Sequence, residues 1–292
     1  MLVEMMESDS AFVLPSIEAL SNLSLTPELQ AAAVQAVLGR FDAAEAEDLP
    51  AVARFLLQNA ATASELSQVV STLRESLHFV SSSDPRLAVP DRKQKGKVLS
   101  GRESLEGRLL EGLRQALQLN PAAADAVAQE LRAQKEPAQH RTVDLWLLLL
   151  LLSLSPERRR AGEALLRRKL ADGHAGPAWL EHAVGSQHAR VLLDFFPSLL
   201  SLARLLVHAA AQPVQATGAA LYCTMFTHFT DAYFQQEVLR ALHSHLGAHV
   251  GSEATSALGV LQRLAREQAG VLMRYAAFLT NILDYVGGYS GG

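Results

Sequence analysis

Apolar residues recur every three to four positions along most of the chain, in blocks of about 12 to 20 residues. Short breaks containing Pro, Gly, Ser or Asp separate the blocks. This spacing puts the apolar side chains on one side of an α-helix, and alternation typical of a strand is almost absent. The predicted helices span residues 10–22, 27–38, 49–60, 63–79, 102–119, 122–134, 141–153, 156–171, 177–184, 187–209, 213–229, 232–247, 252–267 and 269–286.

Two tripeptides carry strong signals for the start of a helix. Residues 26–28 (Thr-Pro-Glu) and 155–157 (Ser-Pro-Glu) each combine a capping hydroxyl, a proline where no backbone donor is needed, and an acid near the positive helix end. Asp48 and Asp231 precede helices as weaker versions of the same signal.

The succession of helices predicts an all-α fold. Short connections between amphipathic helices, with no strands and no long crossover, favour an α-solenoid of stacked antiparallel helical hairpins. A compact multi-helix bundle is the alternative. No exact sequence repeat is visible, so the solenoid prediction rests on the rhythm of helices and breaks.

Breaks in the pattern define four predicted parts of the chain. Residues 1–80 form N-terminal helical repeats, and residues 81–101 form a flexible linker containing serines, two prolines and a basic run. A longer helical array occupies residues 102–286, and the glycine-rich residues 287–292 form a flexible end. The sequence does not decide whether the linker separates two domains or is a loop within a single helical array.

Composition limits the class of protein. Apolar residues make up 49% of the chain and charged residues 19%, which is enough for a sizeable core. A formal charge of -4 means that any nucleic-acid contact must come from local patches. Because Cys223 is the only cysteine, no internal disulfide or cysteine-based zinc site can form, and a reducing compartment fits best.

Neither the longest apolar run nor residues 1–10 carry a signal for a membrane span or for export. The longest apolar run, residues 145–152, is far shorter than the roughly 20 residues of a membrane span, and it predicts a helix buried on all sides. Residues 1–10 lack the basic and apolar regions of a secretion signal, so we expect an intracellular protein with no membrane partner.

Motifs for catalysis or cofactor binding are absent from the sequence. No phosphate-binding glycine loop, zinc-binding His-Glu-x-x-His or serine-nucleophile elbow occurs, so we expect neither an enzyme nor a cofactor. Cys223 lies among apolar residues and reads as a buried hydrophobe. His243, His245 and His249 form the closest histidine cluster. We interpret them as solvent-facing residues near the end of a helix. A metal-dependent hydrolase is the remote alternative.

Two basic segments are candidates for contact with DNA phosphates. One is the loop run with Lys93, Lys95 and Lys97, and the other lies in the predicted helix 156–171. The cations of that helix spread around its axis instead of forming one stripe, so we first interpret it as a helix whose charged side chains face solvent. They are Arg158, Arg159, Arg160, Arg167, Arg168 and Lys169.

Separated stretches of the chain resemble, in the same order, the Fanconi anaemia group D2 family. They are Leu14-Pro15 with Glu18-Ala19-Leu20, Glu47-Asp48-Leu49-Pro50 with Phe55-Leu56, Val70-Ser71-Thr72-Leu73-Arg74-Glu75, Leu199-Leu200-Ser201-Leu202-Ala203, Phe229-Thr230-Asp231-Ala232-Tyr233 with Gln235-Gln236-Glu237-Val238, and Ile282-Leu283-Asp284-Tyr285. The resemblance covers nearly the whole chain. Family members are much longer, so we expect this chain to be an internal fragment of the helical-repeat region.

The resemblance implies a nuclear scaffold for the repair of DNA interstrand crosslinks. It implies an α-solenoid that pairs with the paralogous Fanconi anaemia group I protein and encloses double-stranded DNA as a clamp. Attachment of ubiquitin to a lysine on one helix locks that clamp in the family. A helical-repeat adaptor that binds proteins without touching DNA is the competing hypothesis from another class.

Thr280 occupies the position that matches the family's ubiquitin-acceptor lysine. Projection of the predicted helix 269–286 puts Thr280 opposite its apolar side, so we expect an outward side chain. That side comprises Val271, Tyr275, Phe278, Ile282 and Val286, flanked by Leu272, Leu279 and Leu283. A threonine lacks the amine of an isopeptide bond, and the chain has no lysine after Lys169, so we expect no ubiquitin on this helix.

Overall fold

Within the described residues, the protein consists of α-helices and a few 3-10 turns. The computed structural model describes residues 12–21, 23–77, 105–185, 192–247 and 251–280, and these ranges contain no strand. In chain order the helices are α1 Val13–Ser21, α2 Pro27–Leu38, α3 Leu49–Asn59, α4 Ala63–Ser76, α5 Leu105–Leu119, α6 Pro121–Ala133, α7 Thr142–Leu154, α8 Pro156–Ala171, α9 Pro177–Gly185, α10 Phe196–Val207, α11 Gln212–His228, α12 Ala232–Leu246, α13 Gly251–Glu267 and α14 Ala269–Leu272.

The chain divides into two compact units, and the dividing line falls inside helix α8. The first unit runs from Met1 to Leu165 and the second from Leu166 to Gly292. The predicted linker 81–101 and glycine-rich end 287–292 lie outside the described residues and stay predictions. Helices on both sides of that predicted linker belong to the first unit, where α3 packs against α5 and α4 packs against α6.

Each unit shows the contact pattern of stacked helical hairpins. In the first unit, α3 packs against its neighbours α2 and α4 and also against the next helix but one in both directions, α1 and α5. In the second unit, α11 likewise packs against α10, α12, α9 and α13. Contacts between successive hairpins define an α-solenoid, so the predicted all-α, solenoid fold class is confirmed.

Three of the four predicted capping residues form a side-chain cap. Thr26 accepts a hydrogen bond from the Leu29 amide at 3.4 Å, and Asp231 accepts one from the Tyr233 amide at 2.8 Å. Ser155 accepts one from the Arg158 amide at 3.2 Å. Asp48 precedes α3 as predicted, but its side chain makes no cap, because its backbone is already in the helical region rather than extended.

Two predicted helices are broken by a 3-10 turn. The predicted helix 187–209 contains a 3-10 turn at Leu193–Phe195, and α10 begins only at Phe196. Pro197 explains the change, because proline has no amide hydrogen to donate to the carbonyl four residues earlier. The predicted helix 269–286 is interrupted by a 3-10 turn at Met273–Tyr275 before helix resumes at residues 276–280.

Helix α7 is buried in the core of the first unit. Every residue from Thr142 to Leu152 is buried, which confirms the predicted helix buried on all sides. Trp146 and Phe41 are among the largest fully buried side chains. No helix in the described ranges is both long and apolar enough to cross a membrane.

Candidate functional site

Helix α8 carries those predicted DNA-contacting cations that lie within the described residues, and they differ in exposure. Arg159, Arg160, Arg167 and Arg168 are exposed. Arg159 donates to the Leu152 carbonyl at 3.1 Å, which holds its guanidinium near the start of the helix. These four arginines therefore present charge to solvent, as phosphate contact requires.

The two remaining cations of α8 are engaged with the protein. Arg158 is half-buried and forms an ion pair with Asp125 and a 3.1 Å hydrogen bond to the Pro121 carbonyl. Its guanidinium lowers the pKa of the Asp125 carboxyl mainly by hydrogen bonding to it. Lys169 is only 5% exposed. Both side chains are less available to a phosphate than the four exposed arginines.

Helix α8 ends shortly after Lys169 in a motif that contains a glycine. The Lys169 carbonyl accepts hydrogen bonds from the His174 and Ala175 amides, at 2.7 and 3.2 Å. Gly173 has a φ of 73°, the left-handed conformation that glycine adopts without strain. This helix-ending motif supplies hydrogen-bond donors to a carbonyl that has no partner within the helix.

The lysines of the predicted basic loop, Lys93, Lys95 and Lys97, lie outside the described residues. Their contact with DNA stays a prediction. Within the described ranges the chain has two lysines, of which Lys135 is exposed and Lys169 is buried.

Thr280 is the last described residue of the closing segment, the helical residues 276–280, and its side chain is exposed. Its hydroxyl donates to the Ala276 carbonyl at 3.1 Å, one helical turn back. Leu272 and Tyr275 are the buried residues of this part of the chain, whereas Val271 and Phe278 are partly exposed. Ile282 and Val286 of the predicted apolar side lie outside the described residues.

Tyr275 anchors the closing segment to the rest of the second unit. Its hydroxyl donates to Gln235 Oε1 on α12 at 2.8 Å, and Gln235 Nε2 donates to the Phe226 carbonyl on α11 at 3.1 Å. The rings of Tyr275 and Phe226 meet edge to face, with centroids 6.2 Å apart. Gln235 is 3% exposed, so both of its amide atoms are satisfied inside the protein.

A pocket of about 170 Å³ lies between α12 and the closing segment. Its lining comprises Gln236, Leu239, Arg240, Tyr275 and Phe278. Arg240 forms an ion pair with Glu237 one turn earlier on the same helix.

His245 is a buried residue that packs inside the protein, whereas the sequence predicted a solvent-facing histidine. It is 6% exposed, its Nε2 lies 3.0 Å from the Tyr222 hydroxyl, and its Nδ1 lies 3.0 Å from Glu253. His208 contacts the other carboxylate oxygen of Glu253. The Glu253 carboxylate reaches His245 through the packing of α12 against α13. The spacing of residues in the sequence did not indicate this contact.

The candidate metal ligands do not assemble within the described ranges. His249 lies outside them, and no group of three or more His, Cys, Asp or Glu side chains there is arranged to hold a metal ion. His243 lies against Phe278, with ring centroids 6.0 Å apart.

Cys223 is buried, as predicted from its apolar surroundings. It is 4% exposed, and burial is the main reason that its pKa rises to about 11. A thiol with this pKa is protonated at neutral pH, and therefore a poor nucleophile.

The sequence patterns missed a buried ion pair that joins three helices of the first unit. Arg74 on α4 holds Asp144 on α7 through contacts of 2.6 and 2.9 Å, and it contacts Glu130 on α6 at 2.9 Å. Arg74 lies one residue beyond the buried Leu73, and Asp144 directly precedes the apolar run 145–152. A charged residue directly beside buried apolar residues is the sequence feature that could have indicated this ion pair.

Comparison with known proteins places the whole chain in one family. A family model described as "Fanconi anaemia protein FancD2 nuclease" matches residues 1–291. The Fanconi anemia group D2 protein of Gallus gallus is 32% identical over 279 residues, which cover 92% of this chain and 19% of that protein. The group D2 homolog of Mus musculus is 30% identical over 294 residues, or 98% of this chain and 20% of that protein.

The chain thus spans about a fifth of the length of the curated relatives that it matches. The match extends across both compact units, because it includes residues on either side of Leu165. The resemblance found in the separated sequence stretches is confirmed, and the chain belongs to the Fanconi anaemia group D2 family.

Proposed function

We propose that this chain is part of a non-enzymatic nuclear scaffold that acts in the repair of DNA interstrand crosslinks. The family match over residues 1–291 is the observation that carries the proposal. By the family resemblance, the complete protein acts as a clamp that pairs with the Fanconi anaemia group I paralogue and encloses double-stranded DNA. The stacked helical hairpins of each unit suit a scaffold, because solenoids offer extended binding surfaces.

Exposed arginines of helix α8 support a direct contribution to DNA binding. Arg160, Arg167 and Arg168 present guanidinium groups to solvent. Arg168 approaches Asp172 only at 3.6 Å, with its side chain 84% exposed. A phosphate can therefore replace this weak interaction at little cost.

Charge reversal tests this contact in the full chain. The triple variant Arg160→Glu, Arg167→Glu, Arg168→Glu should weaken duplex binding and lower the slope of log affinity against log salt by about 2 to 3, since each phosphate contact contributes about 0.9. The matched control reverses three other exposed arginines, Arg54, Arg108 and Arg132. Equal losses in both variants, or no loss in either, would contradict a specific role for α8.

The purified protein also distinguishes the scaffold hypothesis from the adaptor and enzyme hypotheses. Co-purification with the group I paralogue together with salt-dependent duplex binding supports the clamp. Binding to protein partners without any duplex binding favours the adaptor. The family description includes the word nuclease, so we also expect intact duplex after incubation with Mg²⁺ or Mn²⁺. Metal-dependent cleavage by the purified chain would refute the non-enzymatic proposal.

Loss of the ubiquitin acceptor at position 280 is the second part of the proposal. A hydroxyl cannot form an isopeptide bond, so reconstituted ubiquitination should leave residues 269–286 unmodified in the natural sequence. Thr280→Lys should restore modification there. Thr255→Lys is the matched control, because Thr255 is also exposed in a helix with its hydroxyl bonded to the carbonyl four residues earlier, at 2.8 Å. Peptide mapping that finds ubiquitin on residues 269–286 of the natural chain would reject this loss.

A further inference from the structure

The three consecutive arginines at the start of helix α8 are held in three different ways. Arg158 forms an ion pair with Asp125, so an acid of the protein already balances its charge. Arg160 is exposed, and its side chain makes no hydrogen bond or ion pair within the described residues. Arg159 is exposed as well, but its Nε donates to the Leu152 carbonyl at 3.1 Å. Arg159 alone of the three is both held in place and not neutralised by an acid.

The carbonyl that holds Arg159 belongs to a fixed part of the first unit. Leu152 lies in the last turn of α7, where carbonyl groups lack a partner within the helix, and it is only 2% exposed. Helix α8 approaches α7 closely at this point, since a Cβ atom on Gly162 would lie 3.0 Å from Leu152 Cδ2. The hydrogen bond therefore ties the Arg159 guanidinium to the core.

The geometry of a guanidinium leaves the anchored Arg159 able to bind a phosphate. The group has five N–H donors in a planar fork, and the Leu152 carbonyl uses only the one on Nε. The two Nη atoms keep their hydrogens, and side by side they can donate to two oxygens of one phosphate. A side chain that is already ordered loses less entropy on binding than a mobile one, which changes affinity by about 2- to 10-fold.

We propose that Arg159 is the residue of α8 that binds a DNA phosphate through two hydrogen bonds, and that the Leu152 carbonyl positions it for that contact. This inference rests on the proposed contact between α8 and DNA, and it adds which residue gives the contact its direction. Arg160 contributes charge at longer range, and Arg158 joins α8 to α6 through Asp125. Two oxygens of the backbone are recognised and no base, so we expect no sequence preference.

Single substitutions in the full chain test the assignment through duplex affinity at constant salt. Arg159→Ala should weaken binding about 2- to 10-fold more than Arg160→Ala, although each removes one positive charge. Arg159→Lys should weaken binding severalfold, because an ammonium cannot make the two-pronged contact, whereas Arg160→Lys should bind like the natural chain. Arg159→Lys keeps the charge, so it gives the result even if Arg159→Ala lowers the stability of the fold.

Magnetic resonance of isotopically labelled arginine follows the contact itself. Addition of duplex to the natural chain should shift the Nε signal that Arg159→Lys removes, and it should leave the signal that Arg160→Lys removes almost unchanged. Inorganic phosphate at the same phosphate concentration should shift the Arg159 signal far less than the duplex does. An Arg159 signal that responds to inorganic phosphate but not to bound duplex would overturn the inference.

The triple variant Arg160→Glu, Arg167→Glu, Arg168→Glu separates this inference from the proposal on which it rests. If the triple variant loses duplex affinity while Arg159→Ala and Arg160→Ala bind equally well, Arg159 has no special role and the contact of α8 with DNA remains. If neither the triple variant nor Arg159→Ala loses affinity, the contact of α8 with DNA and the role of Arg159 are both overturned.

Discussion

At the scale of single residues, buried polar groups connect helices that are far apart in sequence. Arg74 and Asp144 are 70 positions apart, and their side chains are 8% and 0% exposed. Burial alone would raise the pKa of Asp144, but hydrogen bonds from Arg74 and His140 and from the Arg141 amide lower it overall. The first unit therefore depends on a carboxylate that stays ionised inside the core.

Replacing Arg74 with methionine should destabilise the first unit strongly. Arg74→Met keeps the volume of the side chain but leaves Asp144 buried without its counterion, which costs about 3 to 5 kcal/mol. The control Arg114→Met removes a partly exposed pair with Glu111 and should change stability by about 0.5 kcal/mol or less. Urea unfolding at pH 7 measures both. Similar values for the two variants would contradict a structural role for the buried pair.

The contribution of Asp144 should depend on pH with a defined sign. Its pKa is lower in the folded protein than the ordinary value near 4, so its stabilisation is complete above about pH 4 and is lost as pH falls through the folded-state value. The natural protein should therefore lose this part of its stability in acid. In Asp144→Asn that part of the pH dependence should disappear, and an unchanged acid profile would count against this account.

Cys223 should react only after unfolding. With its pKa near 11, about one thiol in a thousand is ionised at pH 8, and its burial also excludes reagents. An aromatic disulfide reagent should therefore label the folded protein slowly and the urea-unfolded protein rapidly. Fast labelling of the folded chain at pH 8 would show that the core around α11 is open.

At the scale of helices, close backbone contact sets the packing of α10 against α11. A Cβ atom on Gly218 would lie 2.8 Å from the Val207 amide nitrogen and 2.9 Å from Leu206 Cβ. Glycine therefore allows an approach between these two helices that no larger residue can make. Gly259 on α13 has no atom within 4 Å of the same position, so it provides a direct comparison.

Alanine at these two glycines should change stability in opposite directions. Gly218→Ala forces the two helices apart and should cost about 1 to 3 kcal/mol, which outweighs the gain in helix propensity. Gly259→Ala meets no neighbour and should stabilise by about 0.5 to 1 kcal/mol. Thermal unfolding of both variants would reveal the difference. Stabilisation by both changes would mean that α10 and α11 are less tightly packed than described.

Helix positions follow from local sequence, whereas the breaks within helices depend on tertiary contacts. The Thr-Pro-Glu signal at residues 26–28 correctly predicts the start of α2 at Pro27. Periodicity alone did not predict the turn at Met273–Tyr275, whose Tyr275 donates a hydrogen bond to Gln235, 40 positions earlier. Local sequence reports the intrinsic preference of a segment, and packing selects its final winding.

The candidate site was predictable to a similar extent. The arginines of α8 were visible as charges in the sequence, but the burial of Lys169 among them was not. The sequence suggested His245 as a possible metal ligand, because nothing in its own helix indicated that Glu253 would be its buried partner. Residue chemistry can be read from the sequence, while the partner of each group comes from the three-dimensional packing.

At the scale of the whole molecule, the protein is a helical chain of two compact units that matches one family throughout. Its formal charge of -4 provides no overall attraction to DNA, so the DNA binding that we propose has to come from local groups, and the exposed arginines of α8 are the proposed ones. The chain corresponds to about a fifth of its relatives, and we expect DNA clamping to require the complete protein.

Sensitivity of cells to a DNA interstrand crosslinker tests the central proposal most directly. Cells in which the gene is deleted should lose viability at crosslinker doses that their parents survive, and re-expression of the complete protein should restore survival. Re-expression with Arg160→Glu, Arg167→Glu and Arg168→Glu should restore less than re-expression with the control reversals at Arg54, Arg108 and Arg132. Normal survival of the deletion cells would contradict a role in crosslink repair.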